Sequence, residues 1–289
     1  MSVPTRATQT GESWRGPWRM LRDSRPFLWC EAKVVVADRG LLFVDTVLAT
    51  LLPLVVYAVL WGAVFSGDGD AQLAGYGYQQ LITYFIYAIA LGRLNNGYDI
   101  VDRLSHSVLE GTLEAHVVRP VPFPLQLLVG FLGGSVVYLA LVGVAFVADM
   151  FMRGGQLPLA GVDLIVHIVI VAVVLLCSQL LLFMISFCIG LATFGLKRTD
   201  LLLSGLLLAQ TTLGGLLLPP DMWSGPLAVI MQYNPFRYLI ATPAEVLSSW
   251  QTDAAVSAIV PGLCYLVFFS LLAAWLWKRA LTSYHGAGG

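Results

Sequence analysis

The chain has 289 residues, of which 58% are hydrophobic and only 11% charged, with a net charge of −1 and a mean hydropathy of +0.79. Soluble domains carry roughly 25% charge, so this balance excludes an ordinary water-soluble fold, and the near-zero net charge removes the global basic field that would draw nucleic acid. The expected fold class is an all-α membrane protein, and the informative signal is where its few charges sit.

Residues 1–40 form a polar, arginine-rich N-terminal segment. They lack the short apolar core and small-residue cleavage site of a secretory signal, so the first span is expected to stay in the chain. Within them, 14–38 interleaves Trp14, Trp18, Phe27, Leu28 and Trp29 with Arg19, Arg22, Arg25 and Lys33. That mixture suits a helix lying in the cytoplasmic interface, against the plainer reading of a basic tail without fixed structure.

A hydrocarbon core about 30 Å thick needs about 20 apolar residues per helix. Six runs qualify: 41–65, 76–97, 125–149, 162–194, 201–218 and 254–277. The fourth exceeds what a bilayer requires, so it is expected to tilt, to extend beyond the membrane or to break near Gly190. Between the fifth and sixth runs, 219–250 is apolar but punctuated by Pro219, Pro220, Gly225, Pro226, Pro235 and Pro243. It is too broken to cross and is expected to dip in from the outer side and return, where the protein itself must satisfy the backbone.

With the N-terminus placed in the cytoplasm, every Lys and Arg except Arg153 and Arg237 falls on the inner side, Arg93 and Arg103 included. This bias puts both termini inside and makes 99–120 the largest cytoplasmic loop. Residues 41–280 then form one membrane domain and 281–289 a short cytoplasmic tail. Cys30, Cys177, Cys188 and Cys264 lie far apart without Cys-x-x-Cys spacing and read as small core residues, with no metal site expected.

The closest approach to a phosphate-binding loop is GLATFGLKR at 190–198, which places Leu196 after the second glycine and ends an apolar run. It is not a nucleotide site. No His-Glu-x-x-His, Gly-x-Ser-x-Gly or paired Asp-rich motif appears, so no catalytic residue is expected. Asp45, Asp149 and Asp163 sit near span ends. His167, four residues after Asp163, suits an interfacial pair better than a proton relay. Uncharged polar residues inside spans, Thr83, Tyr84, Tyr87 and Asn95 in the second and Gln210, Thr211 and Thr212 in the fifth, either join helices or line a cavity, packing being the commoner use. GFLGG at 130–134 is a G-x-x-x-G that permits close helix contact.

In 99–110 the apolar Ile100, Leu104 and Val108 recur every four residues, while Asp102, Arg103, His106 and Glu110 take the other face. This predicts an amphipathic helix continuing out of the second span, stopped by Gly111, with a short stub over 112–118 ended by Arg119-Pro120. On pattern alone it is equally a solvated loop with a helical preference.

These residues also resemble a known family. Glu110-Gly111-Thr112-Leu113-Glu114, with Pro120 nine residues after the glycine, is similar to the signature of the membrane permeases of ABC-2 type transporters. The likeness extends to six spans, cytoplasmic termini, an interfacial helix before the first span, and short re-entrant helices between the fifth and sixth, where Asn234-Pro235-Phe236 matches the family's habit. It implies a permease subunit of an ATP-driven exporter in the bacterial cytoplasmic membrane, without cofactor of its own, working with two ABC ATPase subunits that carry ATP and Mg and with a second permease chain. It assigns ATPase coupling to Asp102, Arg103, His106, Glu110, Gly111, Thr112, Leu113, Glu114, Arg119 and Pro120. The translocation path is expected at Thr83, Tyr87, Asn95, Gln210 and Thr211, and an outer gate at Leu216, Pro219, Pro220, Asn234, Pro235 and Phe236. His116 and Arg119 depart from the usual pattern and imply a divergent branch whose permeases pair as two different chains. An ion-coupled secondary carrier, which would want an ionisable residue at mid-membrane, and a non-transporting scaffold subunit are the readings from other classes.

Overall fold

The computed structural model describes residues 26–66 apart from 27, 31, 35 and 38, then 72–111, 121–196 and 198–283. In chain order the helices are α1 (Arg39–Thr46), α2 (Leu52–Phe65), α3 (Tyr78–Leu94), α4 (Tyr98–Leu109), α5 (Phe123–Met152), α6 (Gly161–Leu191), α7 (Thr193–Leu196), α8 (Thr199–Leu213), α9 (Pro226–Tyr233), α10 (Ala241–Ser249) and α11 (Thr252–Ser283). Apart from one isolated bridge between Leu73 and Tyr76, all regular structure among the described residues is helical. Among the described residues, four stretches are long and apolar enough to cross a membrane: Val47–Phe65, Phe123–Met152, Gly161–Leu196 and Val256–Thr282.

Proline and glycine set the interruptions. A π turn over Val47–Leu51 joins α1 to α2 just before Pro53, whose missing N–H and bulky ring disturb the regular ladder. The fourth predicted run does break, at Ala192 rather than Gly190. The fifth ends early: α8 stops at Leu213, not at 218. Gly214 and Gly215 follow, with Gly215 at φ +84°, where a Cβ would come within 2.7 Å of both the Tyr84 hydroxyl and the Ala241 Cβ. Only glycine fits that approach.

The centre of the bundle is α3. Leu81, Tyr84, Phe85, Tyr87 and Leu91 are fully buried. From one side α2 stacks Tyr57 on Phe85 with ring centroids 4.1 Å apart, while α5 and α10 close the others. The longest contact runs between α6 and α11, where Trp277 meets Phe187 and, from the start of α5, Phe123. Lipid tails are as apolar as Leu, so these contacts hold by close packing and by polar bonds rather than by expulsion of water. The GFLGG segment serves that packing. A Cβ on Gly133 would lie 2.5 Å from the Leu28 carbonyl oxygen, so the N-terminal segment crosses α5 backbone to side-chain-free backbone.

One expectation is corrected outright. α4 does not continue out of α3: Asn95, Asn96 and Gly97 separate them, with Asn95 at φ −85°, ψ 63°. Two forces make the break. The Asn95 side chain is drawn into a buried bond network, and Gly97 packs so tightly that a Cβ would sit 2.3 Å from Ser186 Oγ and 3.0 Å from Leu182 Cδ1.

Candidate translocation and coupling sites

At the break, Asn95 Nδ2 donates to the Leu239 carbonyl at 2.7 Å, and Asn95 Oδ1 accepts from Gln179 Nε2 at 2.6 Å. Ser135 Oγ donates on to Gln179 Oε1 at 3.2 Å, and Ser178 Oγ gives the Leu239 carbonyl a second donor at 2.8 Å. The chain of bonds thus ties the α3–α4 break to α5, α6 and the 3₁₀ turn Pro235–Leu239. Ser135 and Ser178-Gln179 lie close to the middle of the 30-residue α5 and the 31-residue α6. The irregular backbone therefore sits at mid-helix depth, satisfied by protein groups as an apolar surrounding requires.

Arg93 lies beside the same break. The positive-inside sorting put it on the cytoplasmic side; its guanidinium lies 5.5 Å from the ring centre of Tyr138, near the middle of α5. A cavity of about 180 Å³ opens here, lined by Arg93, Asn95, Asn96, Tyr98, Tyr138 and Gln210 with Leu203, Leu206 and Leu207.

Of the five residues expected to line a path, Asn95 and Gln210 share this cavity. Thr83 is buried in α3, and Thr211 donates to the Leu207 carbonyl of its own helix. Tyr87 is fully buried and donates to Asp149 Oδ2 at 3.1 Å. Asp149 also takes Arg153 Nε at 2.7 Å and Trp250 Nε1 at 3.4 Å. His167 is buried against Trp250, ring centres 5.1 Å apart, while Asp163 is exposed. The Asp163–His167 pair expected from their spacing gives way to this stack.

The outer-gate residues converge in part. The hydroxyls of Tyr84 and Tyr57 donate to the Gly215 and Leu216 carbonyls at 2.7 and 3.0 Å, holding the turn after α8 against α3 and α2. Pro219 caps the short 3₁₀ turn Pro220–Met222. Asn234 organises its own neighbourhood: Oδ1 accepts from Arg237 N, Nδ2 donates to the Met231 carbonyl, and Pro235 and Phe236 follow in the next turn. Arg237 then pairs with Glu245 at 3.0 Å. Burial pushes the Glu245 carboxyl above the usual carboxylate range, and the Arg237 charge offsets that only in part.

α4 has the expected two faces. Ile100, Val101 and Leu104 are buried, Leu104 resting where Gly190 leaves room on α6. Asp102, His106 and Glu110 form the opposite stripe, with His106 3.5 Å from Asp102 and 3.2 Å from Glu110. Arg103 is exposed beside them. Gly111 takes φ +71°, the left-handed stop predicted for it. Thr112, Leu113, Glu114, His116, Arg119 and Pro120 lie outside the described residues, as do all of 14–25 in the interfacial segment and the end of the tail.

Gln179, Ser178 and Ser135 were missed. The signal was available, since each is an uncharged polar residue inside an apolar run, as Asn95 and Gln210 are.

A family model described as ABC-2 family transporter protein matches residues 51–288. The chain belongs to the ABC-2 transporter family. A comparison with curated proteins returns no match. As an ABC-2 membrane permease the chain is a transport component rather than an enzyme in its own right, and permeases of this family generally work with ABC ATPase subunits. The family match and the long apolar helices together make it a multi-pass membrane protein.

Proposed function

We propose that the chain is the permease half of an ATP-driven exporter, coupled through α4 and the residues after it to a separate ATPase. The observation that carries this reading is the two-faced α4: one face is locked onto α6, and the other offers half-buried Asp102 and exposed His106 and Glu110 in one stripe ahead of the Glu110-Gly111-Thr112-Leu113-Glu114 signature. A helix so mounted receives a partner's push without unfolding.

The six-crossing layout belongs to the same proposal. α3 is 17 residues and α4 is 12, about 25 and 18 Å at 1.5 Å per residue, so together they make one broken second crossing. α8, at 15 residues, reaches about 22 Å and is completed by the turn over 214–218. The short helices between α8 and α11 form the re-entrant outer segment, and both termini face the cytoplasm. Two ATPases, each with ATP and Mg, and a second permease chain, like or related, complete the transporter. Asn95 and Gln210 border the path, while Thr83, Tyr87 and Thr211 support it. The outer gate comprises the turn from Leu216 to Pro220 and the capped Asn234-Pro235-Phe236 turn. Direction, outward, rests on the family resemblance.

Glu110→Arg and Glu114→Arg reverse charge in the proposed docking segment, and Glu110 is exposed at the end of α4. Each is expected to lower ATPase copurification or to uncouple hydrolysis from transport while leaving the permease inserted at the normal level. Unchanged association and unchanged transport in both variants would sink the docking assignment.

A further inference from the structure

A second cavity, of about 340 Å³, lies between the short helices and α11, within the range of about 300–1,000 Å³ usual for small-molecule sites. The end of α9, the Pro235–Leu239 turn and α10 make one side of it, and Ser257, Ala258 and Pro261 of α11 make the other. Its described lining holds one base, Arg237, and one acid, Glu245, paired at 3.0 Å with 18% and 23% of their side chains exposed. Arg237 reaches both Glu245 oxygens, at 3.0 and 3.3 Å, through Nη2 alone, so Nε and Nη1 of its donor fork make no hydrogen bond among the described residues. Tyr233, Tyr238, Thr242 and Ser249 stand around the pair with rings and hydroxyls. Asp221, which accepts from the Tyr76 hydroxyl at 3.4 Å, does not line the cavity but adds negative charge near enough to act on both partners.

This lining restricts the charge a ligand can carry. A ligand with a single charge would draw Arg237 or Glu245 to itself and leave the other buried without its counter-ion, which is strongly unfavourable. A ligand with both charges gives each partner a replacement. Apolar surface adjoins the cavity as well. Tyr238, Thr242 and Ala258 also border a narrow cleft beside Val174, Cys177 and Leu181, while Val256 and Val260, next to Ser257 and Pro261 in the chain, are exposed on α11. We propose that the cavity binds the head of a zwitterionic phospholipid, its phosphate on the unengaged edge of the Arg237 guanidinium and its ammonium against Glu245 and the Tyr238 ring, with the acyl chains running out along α11. The cavity contains none of the residues proposed for the path, the gate or the docking helix, and the binding does not depend on the permease reading.

The test uses the full chain in a neutral detergent, mixed with equal amounts of phosphatidylethanolamine, phosphatidylglycerol and a diglucosyl diacylglycerol of matched acyl chains, and native mass spectrometry to count which lipid stays bound. Phosphatidylethanolamine is expected to be retained about tenfold better than either of the others, about 1.4 kcal/mol. Glu245→Gln keeps the shape and the phosphate's partner but removes the ammonium's, and should shift the preference towards phosphatidylglycerol. The double variant Arg237→Gln/Glu245→Gln, which removes both charges together, should abolish the preference. Soluble phosphoethanolamine at the lipid's own concentration is expected to displace little of it, and full displacement would overturn the assignment to a lipid. Equal retention of the three lipids by the wild type overturns the proposal, and so does preferential retention of the glycolipid, which would make this a sugar site. Wild-type preference in a folded double variant overturns it too; should that variant fail to fold, an unchanged preference in Glu245→Gln does the same.

Discussion

Asp149 ties together one end of the bundle. Its carboxylate is fully buried and takes donors from Tyr87 on α3, Arg153 beyond α5 and Trp250 beyond α10. Trp250 adopts φ +58°, a left-handed conformation that costs a bulky residue about 1–2 kcal/mol, offset here by the indole bond to Asp149 and the stack on His167. Asp149→Leu takes the acceptor from Tyr87, the Trp250 indole and Arg153 Nε, leaving Arg153 its bond to the Ser248 carbonyl, and is expected to cost about 1–3 kcal/mol. Tyr87→Phe removes one neutral donor and should cost about 1–2 kcal/mol. Unfolding in increasing sodium dodecyl sulfate measures both, and an Asp149→Leu chain as stable as wild type would contradict the network. Polarity within an apolar run marked Asn95 and Gln210 from sequence. Partners were not legible there: Tyr87 finds Asp149 across 62 positions and Trp250 finds it across 101. The pairing of Asp163 with His167 failed for the same reason, because a local spacing of four competes poorly with a stacking surface that folding delivers from elsewhere.

At the scale of elements, runs and punctuation were readable and depth was not. Long apolar stretches announced α2, α5, α6 and α11, and Gly111 announced the end of α4. The early end of α8 lay hidden in Gly214-Gly215, since a pair of glycines in an apolar run signals a stop only when groups from elsewhere in the chain, here the Tyr84 hydroxyl and the Ala241 Cβ, press on it. The α3–α4 break is similar, because nothing local to Asn95-Asn96-Gly97 distinguishes a break within a crossing from its end. Gly97 tests the explanation. Its φ of −69° suits any residue, so Gly97→Ala acts purely by crowding Ser186 Oγ and Leu182. Overpacking of this kind costs about 1–3 kcal/mol, and adding Ser186→Ala should recover a large part of it by removing the nearest atom. A double variant no more stable than Gly97→Ala would show that the contact with Ser186 is not what matters.

For the whole molecule, the proposed layout places α4's exposed end and the α5–α6 loop on opposite sides. Single cysteines at Glu110 and Gln156, in a background with the native cysteines replaced, should react with a membrane-impermeant maleimide from the inside only and from the outside only, respectively. Labelling of both from one side would overturn the six-crossing arrangement. The bias of Lys and Arg is what proposes this orientation, while a charge count by itself does not separate a loop from a cavity beside mid-helix such as the one Arg93 lines.

The break after Leu94 changes how force would travel. A continuous second helix would act as a piston, carrying any inward thrust straight along its axis to Tyr78. The Asn95 hinge is instead bolted sideways to Gln179, Ser135 and the Leu239 carbonyl, while Leu104 seats in the notch left by Gly190. Thrust on α4 would therefore be shared with α6 and with the Pro235–Leu239 turn before it reached α3, so the two ends of the bundle are joined by a crosswise linkage rather than by a single rod.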